Sequence, residues 1–126
     1  MYKSIEEIVK TELKASGLED QLPKTLAMME LAGPESLARF NNSIFVYTPR
    51  GNGLVSFAMC NADELQDMAK SLDQFGDFLK ACGYTKAMFR TTRKAMFRLC
   101  KGSHYKFTYR WSEDDKAWFG EAYLNV

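Results

Sequence analysis

Nine lysines and arginines fall between Phe78 and Ser112 with no aspartate or glutamate among them: Lys80, Lys86, Arg90, Arg93, Lys94, Arg98, Lys101, Lys106 and Arg110. The chain's one histidine, His104, lies in the same stretch. All sixteen acidic residues lie elsewhere, so a formal net charge of +1 divides into a segment at +9 and a remainder at −8. Guanidinium and ammonium groups at this density bind carboxylates or phosphates, so the segment predicts an anionic partner. Arg90, Arg93 or Lys94, and Arg98 or Lys101 recur at helical spacing, which would place several of them on one face. Together with Lys106 and Arg110 they fit an acidic protein surface, a nucleic acid backbone, or the phosphates of a coenzyme. A merely solvated helix face has the same composition, with Met96, Phe97 and Leu99 buried beneath it.

Other reactive side chains are fewer. Tyr105, Phe107, Tyr109 and Trp111 alternate with His104, Lys106, Thr108 and Arg110. Single-strand nucleic acid platforms mix rings and cations on one surface, whereas here they segregate, which predicts a core face and a wet face. His104 follows a Gly-Ser turn and has no carboxylate near it in sequence to orient it as a base. Cys60, Cys82 and Cys100 are odd in number, lack CxxC spacing and have apolar neighbours; they predict buried free thiols in a reducing compartment. With one histidine and scattered cysteines, no metal site is expected. Pro49-Arg-Gly-Asn-Gly53 resembles a phosphate loop only superficially, lacking the Lys-Ser/Thr ending and a following helix.

These residues need elements to position them. Ser4 and Glu7 form a capping box ahead of Ile5, Ile8, Val9 and Leu13, a helix that Gly17 stops. Leu22 to Leu31 predicts a second helix, and Glu35 to Phe40 one further turn. The period then changes. Ser43 to Thr48 and Leu54 to Cys60 predict a hairpin around the loop of residues 49–53. A long helix capped by Asn61 or Asp63 follows, running to about Cys82, with Leu65, Met68, Ala69, Leu72, Phe75 and Leu79 inward and Gly83 at its end. A strand over Tyr84 to Arg90, a short basic helix over Arg93 to Cys100, and strands over His104 to Trp111 and Lys116 to Leu124 complete the order. The expectation is an α/β (α+β) chain: a mixed, mainly antiparallel sheet flanked by helices, with residues 1–40 helical and 43–126 a mixed core, in a single domain.

Composition bounds the rest. Seventeen aromatic residues argue against disorder, and no apolar run approaches the ~20 residues that span a bilayer. The start of the chain is too polar for a signal peptide, and Glu6, Glu7 and Glu12 disfavour an anionic membrane surface. A cytoplasmic protein without membrane contact is expected.

The order from Ser43 to Val126 resembles the second half of the Gcn5-related N-acetyltransferase family. Lys86-Ala-Met-Phe-Arg-Thr-Thr-Arg-Lys-Ala-Met-Phe-Arg-Leu-Cys-Lys-Gly102 is similar to that family's fifth strand and fourth helix, with Leu99-Cys-Lys-Gly102 the nearest local match. It resembles most the degenerate members carried by tailed bacteriophages, which implies a host cytoplasm or virion location. The resemblance implies acetyl transfer from acetyl-CoA to an amine, with backbone around Met59, Cys60, Asn61 and Ala62 orienting the thioester and Arg90, Arg93 and Lys94 meeting phosphates. Two positions depart from the pattern. The family's glycine-rich pyrophosphate loop reads Cys60-Asn-Ala-Asp-Glu-Leu65 here, and the Tyr that often protonates the leaving thiolate is Arg98. The alternative is a non-catalytic protein whose basic face, residues 86–110, binds an acidic host or virion protein, or nucleic acid.

Overall fold

The computed structural model describes residues 2–92 and 100–124, apart from the side chains of residues 65 and 66. Helices α1 (Ile5–Ala15) and α2 (Leu22–Ala32) lead into strands β1 (Leu37–Phe40), β2 (Ser43–Gly51) and β3 (Leu54–Asn61). Helix α3 (Leu65–Ala81) is followed by β4 (Lys86–Thr91), β5 (Thr108–Ser112) and β6 (Ala117–Tyr123). One six-stranded sheet runs in the order β1-β2-β3-β4-β6-β5. Every pairing is antiparallel except that of β3 with β4, which flank α3 in sequence. This is the mixed, mainly antiparallel α+β arrangement that the sequence predicts.

Local chemistry accounts for most boundaries. Both halves of the Ser4–Glu7 capping box form, satisfying N–H groups that open α1. The hairpin turn is tighter than predicted, because strand pairing runs to Gly51 and Leu54. Asn52 and Gly53 make the turn with φ of 56° and 78°, the left-handed pair that matches strand twist. The predicted helical turn over Glu35 to Phe40 is instead a 3-10 turn, Pro34–Ser36, leading into β1. Asn41, with φ 54°, turns the chain so that Leu37 to Phe40 pair with Val46 to Ser43. The predicted strand over His104 to Trp111 begins only at Thr108, because the preceding residues are hooked onto α3.

Strand alternation divides the core into two layers. Phe45, Val55, Phe57, Ala87 and Phe89 face α3 and meet Leu72, Phe75 and Leu79. Phe75 stacks on Phe45 at 4.1 Å and meets Phe57 edge-on at 5.1 Å. Ile44, Val46 and Cys60 point to the other face, where Ile8 and Val9 of α1 and Met29 of α2 cover them. That cover reaches only part of the face. Thr48, Ser56, Met88 and Arg90 continue the same alternation beyond it and line an open groove. Among the described residues no helix is long and apolar enough to cross a membrane.

The three thiols differ. Cys100 is buried, Cys60 partly buried, and Cys82 exposed at the C-terminal cap of α3, contrary to the expectation that all three are buried. Its place at the cap, past the last turn that packs on the sheet, leaves Cys82 open to solvent despite its apolar neighbours. Burial pushes both the Cys60 and the Cys100 thiol up to about 11. Iodoacetamide at pH 8 should therefore alkylate Cys82 first, with Cys60 and Cys100 reacting only on unfolding, as peptide mass mapping would show. The two protected thiols stay protonated in the folded chain, so their contribution to stability is complete below pH 9 and lost as pH rises towards 11.

Candidate functional site

Strands β3 and β4 are in register over four pairs, Leu54↔Lys86 to Phe57↔Phe89. Beyond that point β3 continues to Asn61 and β4 to Thr91, but they no longer pair. The ends diverge around an opening of about 210 Å³ lined by Phe57, Ala58, Met59, Arg90 and Thr91. Glu12 of α1 lines the same opening from the helical layer. The gap exists because β3 is tied to β2 along its whole length while β4 is tied to β6. Each strand follows its antiparallel partner as the sheet twists.

The opening borders a larger groove of about 680 Å³ on the sheet face that α1 and α2 leave uncovered. Phe57, Ala58, Phe89 and Arg90 line both, so the two spaces adjoin along these residues. Arg50 and Arg90 stand at the groove, and Phe119 forms part of its wall. Arg110 lies over the Phe119 ring at 4.8 Å.

The segment between β3 and α3 closes on itself. The Asp63 carboxylate accepts hydrogen bonds from the Asn42 N–H at 2.8 Å and the Ser71 hydroxyl at 2.9 Å, and its Oδ2 lies 2.6 Å from Ser43 Oγ. The Asn61 side-chain oxygen accepts from the Asp63 N–H at 2.9 Å. Ser43 and Ser71 are fully buried. Neither Asn61 nor Asp63 therefore caps α3 as predicted; Glu64 takes the cap position and makes no side-chain cap bond. The segment is thus a turn organised around its own internal carboxylate, with Glu64 exposed at the helix start.

The predicted cofactor residues separate in this geometry. Met59 and Arg90 meet at the opening. Cys60 packs into the α1/α2 layer, Asn61 is buried against Ser43, and the Ala62 N–H is taken by the Asn42 carbonyl at 2.8 Å. Arg93, Lys94 and Arg98, with most of the predicted basic helix, lie outside the described residues. Among the described cations the basic segment does not form one face. Arg90 and Arg110 flank Phe119 on the open sheet face, where Lys86 is paired to Glu121 at 3.1 Å. Lys101 is exposed beside Gly102, which abuts Ala69 of α3 in the opposite layer, and Lys106 is exposed ahead of β5.

His104 has the carboxylate neighbours that its sequence surroundings lack. Nδ1 lies 3.2 Å from Asp73 and Nε2 3.5 Å from Asp77, both on α3. The His104 N–H also donates to Asp73 at 2.9 Å, and the Tyr105 hydroxyl donates to Asp77. With both ring nitrogens engaged, His104 clamps its segment to α3 rather than offering a free base. Helical spacing of Asp73 and Asp77 was the sequence signal for this pair of partners. Glu12 and Ala58 carried no comparable signal. Among the described residues no group of three or more metal-ligating side chains gathers.

No protein-family model matches the sequence, and no curated protein matches it. The fold is similar to the crystal structure of aminoglycoside 6'-acetyltransferase type Ii, with a TM-score of 0.65 over 97% of this chain and 91% of that one. Sequence identity is 10%, so the likeness is one of fold: an acetyltransferase-like sheet flanked by helices.

Proposed function

We propose that this chain is an acetyltransferase-type protein that receives the thioester end of acetyl-CoA between β3 and β4 and passes the acetyl group to an amine. The observation that carries this reading is the loss of pairing past Phe57↔Phe89 while both strands run on. It leaves a slot suited to a chain-like group, with the backbone of Ala58 and Met59 along one side. Bound acetyl-CoA supplies the activated acetyl group, whose carbonyl carbon bonds the amine nitrogen as the carbon–sulfur bond breaks. Glu12 lines the slot, and in this reading its carboxylate accepts the proton that the amine loses. Arg90 at the mouth, with Arg93 and Lys94 beyond the described residues, would meet phosphates.

The inward-facing Asp63 bears on the fit. Its charge is already held by three donors, which leaves Glu64 as the exposed carboxylate at the start of α3. Phosphate binding then rests on arginines more than on loop amides, and a missing glycine loop fits a degenerate member of the kind phages carry. Calorimetry should give a sub-millimolar dissociation constant for acetyl-CoA that weakens steeply with salt. Glu64→Gln should tighten it several-fold by removing a like charge. No heat up to millimolar acetyl-CoA would overturn the reading.

A second reading is favoured by one observation: Arg90, Lys106 and Arg110 are exposed, and among the described residues none is paired to a carboxylate. In that reading they bind an acidic protein or a nucleic acid without catalysis. Nuclease-sensitive retention of nucleic acid, lost in Arg110→Glu but unaffected by acetyl-CoA, would favour it.

A further inference from the structure

The groove beside the slot has a charge character of its own. Its floor is apolar: Val46, Leu54, Ala58, Met88 and Phe119. Its flanks are cationic. Arg50 donates through Nε to Ser56 Oγ at 2.9 Å, and Arg90 donates through Nη2 to the Asp115 carbonyl at 3.3 Å. Each guanidinium keeps further N–H groups for a ligand. The carboxylate of Glu121 on this face is neutralised by Lys86. A volume near 680 Å³ is within the usual range for small-molecule sites.

These features discriminate among occupants. A polyamine would set its ammonium groups against Arg50, Arg90 and Arg110. A second copy of the chain docked face to face about a two-fold axis would oppose the same arginines to one another. An apolar body carrying a carboxylate satisfies both the floor and the cations.

We propose that the groove is the acceptor site, and that it takes an amine borne on an apolar body with a carboxylate directed to Arg50. The acceptor assignment rests on the acetyl-transfer reading, because the shared lining of Phe57, Ala58, Phe89 and Arg90 is what brings the amine to the slot. Arg90 at that end disfavours the ammonium form, so the amine is held as the neutral nucleophile. The reaction exchanges one amine N–H for an N–acetyl bond. The proton goes to Glu12, and the thiolate that leaves takes a proton from water.

The test uses octanoate, with octylammonium as the matched cation, in amide-shift titrations of the full chain without coenzyme. Octanoate should shift Thr48, Ser56 and Met88 with an affinity on the order of millimolar, as expected for a fragment. Arg50→Glu should weaken it by about tenfold or more, Arg50→Gln by less, and octylammonium should bind more weakly than octanoate. Equal or tighter binding of octylammonium, or octanoate shifts away from the groove, overturns the proposal. Arg50 is exposed, so unchanged melting of both variants separates lost binding from lost folding. If octanoate behaves as expected while acetyl-CoA fails to bind the slot, the transfer reading and the acceptor role fall, and the groove's preference for apolar anions stands.

Discussion

Ala58→Trp should reduce acetyl-CoA affinity by at least about 100-fold while leaving the melting temperature close to that of the parent. Ala58 is exposed, so an indole there displaces no core residue, and tryptophan suits a strand. It also lines both the slot and the groove, next to the last paired residue of β3, Phe57. A ring at this position fills the space where the strands part. The decisive comparison is with Ser56→Trp, which crowds the groove but lies on the paired side of the divergence. If the slot holds the thioester, only Ala58→Trp should abolish coenzyme binding measured by calorimetry. Parent-like affinity in Ala58→Trp would remove the slot from the reaction.

The largest effect on stability should come from Gly76→Ala, at about 2–4 kcal/mol of destabilisation. A Cβ on Gly76 would stand 2.2 Å from Tyr105 Cε2 and 2.6 Å from Cδ2. Helix propensity alone favours alanine by about 1 kcal/mol, so sequence rules give the opposite sign. Sterics win because Tyr105 has nowhere to go: it is 4% exposed, and its hydroxyl is held by Asp77. Burial and the Asp77 carboxylate both raise the Tyr105 hydroxyl's pKa, keeping it a donor. Displacing the ring breaks that bond and loosens the His104 clamp beside it. A midpoint lowered by roughly 10 °C is expected. Tyr105→Leu should cost stability in the parent but much less in the Gly76→Ala background, a coupling that a double-mutant cycle reads. Additive losses would show that the contact is not the cause.

The sequence carried the fold further than the site. The capping box at Ser4 and Glu7, the apolar stripe of α3 and the pairing of residues 43–48 with 54–60 are local signals that tertiary structure did not override, although the turn between those strands is shorter than the predicted five-residue loop. Leu37 to Phe40 went astray because four residues cannot separate a period of two from one of 3.6; the deciding factor is the pairing with β2. The alternation from His104 does put Tyr105, Phe107 and Tyr109 at the core and His104, Lys106, Thr108 and Arg110 in solvent, but it sets the strand's start too early. Tyr105 points inward to meet Gly76, not to sit on a strand. At the candidate site, Arg90 and Met59, which line the opening, stand on strands the sequence predicts. Glu12 and Ala58 were not legible as part of its lining, since their juxtaposition depends on where the β3–β4 register ends, a property of sheet twist and not of any residue. Cys60, Asn61 and Ala62 rest on the resemblance alone, and the structure puts Cys60 in the α1/α2 layer and Asn61 beside Ser43.

That short parallel register divides the molecule mechanically. The sheet is two leaves, β1-β2-β3 and β4-β6-β5, each stitched by antiparallel neighbours and bound to the other along a spine of four residue pairs. Parallel pairing is slightly the weaker kind per residue. A load that prises the leaves apart falls on Leu54 to Phe57 and Lys86 to Phe89, with α3 as the tether that limits travel. The width of the gap is therefore governed at its root, by packing such as Phe57 against Phe89 at 5.4 Å, rather than at its mouth.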